Sequence, residues 1–199
     1  LWRDKENGRL DRATRLLMMP EYLSYKLTGE MKNEYTNAST TNLLDAKAHT
    51  WDEEILDRLG IPKEIFETPL APPAFYGRLR DEIRAEVGFD AEVILCPSHD
   101  TASAVAACPL FDESMYISSG TWSLVGVELP EPVTSTAAFE SNFTNEGGIE
   151  YRIRFLKNIM STHNIWYIRR KPHHNGSRQL KNFSRNLQIL DCHSRFAPS

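Results

Sequence analysis

Through the first half of the chain, apolar residues recur at helical spacing in short blocks separated by glycine and proline; after Ala91 the pattern changes to apolar runs of strand type. From Leu10 to Thr28, the positions Leu16, Leu17, Met18, Tyr22, Leu23 and Leu27 predict a short helical turn followed by a helix. Pro20 and Glu21 suit its first turn, where a missing N–H and a negative charge are tolerated. Gly29 is the expected left-handed cap. Met18, Met19, Tyr22 and Tyr25 read as packing residues of this helix. A second unit spans Asp45 to Phe66: Trp51-Asp52-Glu53-Glu54 opens it with acids, Ile55, Leu56 and Leu59 form a face, and Gly60-Ile61-Pro62 stops it. Lys63 to Phe66 starts a further turn, and Leu79 to Val87 predicts a short amphipathic helix ended by Gly88.

Between these blocks the period is lost. Glu34 to Leu44, EYTNASTTNLL, is rich in hydroxyl and amide side chains, a composition shared by helix caps, turns and surfaces that hold sugar hydroxyls. Pro69, Pro72 and Pro73 make Thr68 to Gly77 an extended connection or edge before a new unit. Glu92 to Cys96 is an apolar run of the fully buried strand type. Pro97 breaks it, and Thr101 to Cys108 supplies the small residues a helix needs to pack closely on a sheet. Met115 to Ser118 and Trp122 to Val127 flank Ser119-Gly120-Thr121 and predict a hairpin. Phe143 to Gly148 reads as a turn, and Tyr151 to Met160 as an apolar-basic helical pattern.

Composition narrows the function classes. The 199 residues are 41% hydrophobic, enough for a core. Lys+Arg 23 against Asp+Glu 27 leaves no basic excess to recruit nucleic acid, so a small or neutral ligand fits better. Cys96, Cys108 and Cys192 lack metal-ligand spacing and are odd in number, which argues against a disulfide framework or a zinc site and for a reduced, cytoplasmic setting. No apolar run approaches the ~18 residues of a membrane span. The N-terminus has neither a signal core nor a methionine, so the chain is expected to begin inside a larger protein. From Ser161 onward Arg169, Arg170, Lys171, Arg178, Lys181, Arg185 and Arg195 face one acid, Asp191. The missing period there favours an unstructured or non-native segment, such as translation out of frame, over an RNA-binding tail.

The candidate chemistry is concentrated in Val93 to Gly126. Asp100 ends the apolar run and precedes the small-residue segment, where a side chain projects into a cleft at a strand's carboxyl end. Capping of the next helix by Asp100 or Ser98 is the other reading of the same position. His99 taken alone is a satisfied structural histidine, and Gly120-Thr121 taken alone is a hairpin turn. If both strand ends face one cleft, a carboxylate and a turn of backbone N–H groups serve phosphoryl transfer. Neither GxxxxGK[ST] nor GxGxxG occurs, which excludes nucleotide binding by those motifs.

Taken together, SHDTASAV, YISSGTWSLVG, the upstream LMMPEYLSYKLTGEMKNEYTNASTTNLLD and the downstream FTNEGGIEYRIRFLKNIM closely resemble the FGGY family of carbohydrate kinases over nearly all of residues 10 to 160. Within the family the likeness is strongest to kinases that phosphorylate the ketose L-rhamnulose with ATP. The resemblance implies an α/β chain that is a fragment of a two-domain actin-like, ribonuclease H-like ATPase fold. It assigns residues 1–90 to the C-terminal part of the first, sugar-binding domain and residues 91–160 to the start of the second, ATP-binding domain, with 161–199 as an atypical basic tail. It implies that Asp100 is the catalytic base, taking the proton of the sugar's primary hydroxyl as that oxygen attacks the γ-phosphate. It implies further that His99, Asp100, Thr101 and Asn158 bind substrate and that Gly120 and Thr121 bind the phosphates of ATP, with Mg²⁺ on those phosphates and the metal's protein ligands left open. The implied partners are a small-molecule sugar and ATP, with neither membrane nor nucleic acid; oligomeric state is left open. The family's N-terminal segment and the later part of its second domain have no counterpart here, so a catalytically inactive sugar-binding or regulatory remnant is the alternative reading.

Overall fold

Three helices of the first half end on left-handed glycines, a local signal that satisfies backbone groups a short helix leaves unpaired. The computed structural model describes residues 1–108, 114–119, 123–159 and 187–190. It divides into two units, Leu1–His99 with Gly147–Tyr151, and Asp100–Glu146 with Arg152–Ser199.

In the first unit, α1 is Trp2–Glu6, α2 is Met19–Thr28 and α3 is Tyr35–Ala38. The strand pair β1, Leu44–Asp45, and β2, Thr50–Trp51, leads into α4, Glu53–Leu59. Then come β3, Ala74–Arg78, α5, Asp81–Val87, and β4, Glu92–Leu95. Gly29, Gly60 and Gly88 each take φ between 60 and 81° at the ends of α2, α4 and α5, as the sequence predicts. Asp52 caps α4 by accepting from the Ile55 amide at 3.0 Å. Leu10, Ala38, Leu43, Trp51, Leu56, Ile61 and Ile65 form the core of this unit.

Of the two readings of Thr68 to Gly77 the edge holds, since its second half is the extended strand β3, antiparallel to β4, while the unit itself runs on to His99. Two expectations for this unit are corrected. β4 is not fully buried: among the described residues it pairs with β3 alone, and Ile94 is 52% exposed opposite Phe75. The apolar residues of α2 do not all pack: Met19 is 68% exposed, Tyr22 and Leu23 are exposed too, and the residue this helix buries is Glu21.

The second unit opens with α6, Asp100–Ala106, which buries Thr101, Ala102 and Val105. Its sheet contains β5, Met115–Ser119, and β6, Ser123–Leu129, with α7, Thr136–Glu140, following. The remaining strands are β7, Thr144–Gly147, β8, Ile153–Ile159, and β9, Leu187–Leu190, and the order is β7-β8-β6-β5-β9. β5 and β6 pair antiparallel, as the hairpin reading expects. The turn expected over Phe143 to Gly148 and the helix expected over Tyr151 to Met160 are instead β7 and β8. β8 pairs with β6 along all seven of its residues, and that ladder overrides a local pattern that fits either period. Arg154, one of the bases of that expected apolar-basic pattern, is fully buried, with Nη2 3.0 Å from Glu146 Oε2.

Gly126 lies in β6 opposite Tyr116 and Leu156. A Cβ there would stand 2.7 Å from both the Tyr116 hydroxyl and Leu156 Cβ. Gly126→Ala should therefore destabilise the chain by about 1–3 kcal/mol through overpacking, read as a lower urea midpoint at unchanged slope.

Candidate active site

The candidate segment Cys96–Thr101 follows β4 and enters α6, and on the first-unit side it is held by buried carboxyl chemistry. Glu34 is 0% exposed and lies at the N-terminus of α3. Its Oε1 accepts from the Thr36 amide at 2.7 Å. Its Oε2 accepts from the Thr36 hydroxyl at 2.7 Å and the Asn37 amide at 3.0 Å. The same oxygen accepts from the hydroxyl of Ser98 at 2.7 Å and from its amide at 3.1 Å. Next along, the His99 amide donates to the Thr36 hydroxyl at 3.4 Å. The unperiodic stretch after Glu34 is thus a cap and turn, one of the two readings its composition allows.

A second buried carboxylate supports the first. Glu21 accepts from the Glu34 amide at 2.7 Å, the Met18 amide at 2.7 Å and Asn33 Nδ2 at 2.9 Å. Asn33 also donates to the Leu16 carbonyl at 3.0 Å and accepts from the Glu67 amide at 3.0 Å. Burial pushes the Glu21 carboxyl above the usual carboxylate range, and the nearby Glu34 charge adds to this, while its three hydrogen bonds pull the other way.

In the second unit Asp100 is exposed as the first residue of α6. Its Oδ1 accepts from the Thr101 amide at 2.6 Å and lies 3.3 Å from the Thr101 hydroxyl, so these two sequence-predicted residues are brought into direct contact. Ser98, the alternative cap, is engaged by Glu34. Asn158 is exposed on β8 opposite Leu124, one residue before Ile159, which pairs with Ser123. The Ser119 and Ser123 hydroxyls, at facing ends of β5 and β6, are 3.1 Å apart. Gly120 and Thr121 lie outside the described residues, as does most of the basic segment from Ser161. Burial, with Glu128 nearby, pushes the Cys108 thiol up and leaves it a poor nucleophile. Among the described residues there is no group of three or more His, Cys, Asp or Glu side chains able to hold a metal ion, and no helix long and apolar enough to cross a membrane.

Sequence reasoning missed Glu21, Asn33 and Glu34. The one available signal was an acid placed directly before a run of hydroxyl and amide residues, the pattern of a helix start.

Residues 2–107 match the N-terminal domain of the FGGY family of carbohydrate kinases, and residues 115–190 match its C-terminal domain. A rhamnulokinase from Oceanobacillus iheyensis is 49% identical over 159 residues, covering 80% of this chain and 33% of its own length. A rhamnulokinase from Halalkalibacterium halodurans is 48% identical over 159 residues, covering 80% and 34%. The chain thus spans about a third of the length of the curated relatives it matches. Among solved structures, a ligand-bound xylulose kinase from Lactobacillus acidophilus superposes with a TM-score of 0.70 at 20% identity, covering 85% of this chain and 34% of that one. That likeness shows the fold: a fragment of the α/β, actin-like ATPase architecture.

The Glu21 shift has a pH consequence. With its carboxyl raised in the folded state, the native chain holds more protons than the unfolded chain between the ordinary and the raised value. Its stabilising contribution is complete below the ordinary value and is lost as pH rises through the raised one. The stability difference between the unmodified chain and Glu21→Gln, measured by urea unfolding from pH 4 upward, should therefore shrink with rising pH and then level off. A difference that grows over the same range would contradict the shift.

Proposed function

Because the chain belongs to the FGGY family of carbohydrate kinases, we propose that it carries the sugar-side chemistry of an ATP-dependent ketose kinase converting L-rhamnulose to L-rhamnulose 1-phosphate. Support for the sugar comes from relatives named rhamnulokinase at 49% and 48% identity. The observation that carries the reaction type is Asp100: an exposed carboxylate at a strand-to-helix turn, with one oxygen oriented by the Thr101 amide.

In this reading Asp100 accepts the proton of the sugar's primary hydroxyl, the hydroxyl oxygen forms a bond to the γ-phosphorus of ATP, and the bond to the β-phosphate oxygen breaks to release ADP. Such a transition state is loose and needs positioning more than a strong base, so an ordinary carboxylate suffices. His99 and Thr101 flank the base and bind the sugar, and Asn158 binds substrate from β8. Gly120 and Thr121 contact the ATP phosphates. Mg²⁺, when bound, would neutralise charge on those phosphates. Use of sugar and ATP places the work in the cytoplasm.

The test is ADP release from ATP in the presence of L-rhamnulose, followed by a coupled assay on this chain and on Asp100→Asn. The rate should fall by about 10²–10⁴-fold in the variant, the usual weight of a general base, while calorimetric sugar binding persists. A rate undiminished by the substitution would remove Asp100 from the role.

A further inference from the structure

We propose that Glu34 is a positioning residue for the sugar-contacting turn: it holds Ser98 directly and, through Thr36, the backbone of His99. This rests on the reading of His99 as a sugar contact.

The argument starts from the length of the side chain. Capping α3 requires only an acceptor for the Thr36 and Asn37 amides, a task for which Asp, Asn, Ser and Thr are preferred. Glu has one methylene more than that task needs. The extra reach is accounted for by Ser98, 64 residues away in sequence, whose amide and hydroxyl both bond to Oε2. All five groups facing the carboxylate are neutral donors, two hydroxyls and three amides. An ionised carboxylate offers only acceptors and matches them all, whereas a carboxamide would set its own N–H₂ against them. Because Thr36 donates its hydroxyl hydrogen to Glu34, its oxygen lone pairs are turned toward the His99 amide at 3.4 Å. The carboxylate therefore fixes two successive residues of the turn, and the local helix cap by itself requires neither bond.

This separates the two roles experimentally. Glu34→Asp keeps an acceptor for the α3 amides and loses the reach to Ser98; Ser98→Ala removes one long-range bond and leaves the cap untouched. In Glu34→Asp amide hydrogen exchange at Ser98 and His99 should accelerate at least about tenfold relative to the amides of α4, the scale of one lost bond to a charged group; in Ser98→Ala, which loses the hydroxyl bond and keeps the amide bond, exchange at position 98 should accelerate by less. L-rhamnulose affinity of the chain, measured by calorimetry, should weaken by a similar factor in Glu34→Asp, while Ser98→Ala, which leaves four of the five donors to Glu34 in place, should lower the urea midpoint less than Glu34→Asp does. Exchange that rises only in step with α4 would overturn the proposal, as would accelerated exchange at Ser98 and His99 with unchanged sugar affinity. If the unmodified chain binds no L-rhamnulose, the sugar reading itself fails, and this role with it, even where the exchange data show the turn released.

Discussion

Two buried carboxylates joined by a backbone amide are the constraint on which the first unit depends. Removing a carboxylate from water costs several kcal/mol even after relaxation, so each must be fully engaged to be tolerated. Glu21 takes three donors and Glu34 takes five. Because the Glu34 amide is one of the donors to Glu21, neither set can loosen alone. Asn33 ties the pair to Leu16 and Glu67, and Ser98 ties it to the turn after β4. Segments distant in sequence therefore converge on one polar hub as well as on the apolar core, which explains why α2 turns an acid inward and leaves Met19 and Leu23 exposed.

Much of the helical framework was legible in the sequence because its determinants are local. Gly29, Gly60 and Gly88 sit where a left-handed residue must end a helix, and Asp52 sits where a cap must begin one. The place of Asp100 at a helix start was legible for the same reason, since it stands where the apolar run gives way to the small-residue segment.

What the sequence did not disclose is set by partners far along the chain. Ile153–Ile159 has apolar and basic residues that suit a helix, and only the β6 ladder makes it a strand. β4 has the composition of a central strand but pairs, among the described residues, with β3 alone, and half its side chains are exposed. Glu21 and Glu34 carry the residue type most often found on surfaces, and nothing nearby in sequence announces that eight donors will surround them.

The two units satisfy buried charge in different ways. In the second unit Arg154, fully buried, is set against the Glu146 carboxylate, so charge meets charge. In the first, the five donors to Glu34 among the described residues are neutral dipoles. A cation in that position would bond the carboxylate through one flexible side chain and fix only itself. Backbone amides and short hydroxyls belong to the very segments being placed, so every bond they donate also fixes a stretch of main chain. For the turn at Ser98 and His99, dipoles are therefore the more exact restraint, and the cost of burying Glu34 is offset by the number of donors rather than by the strength of any one.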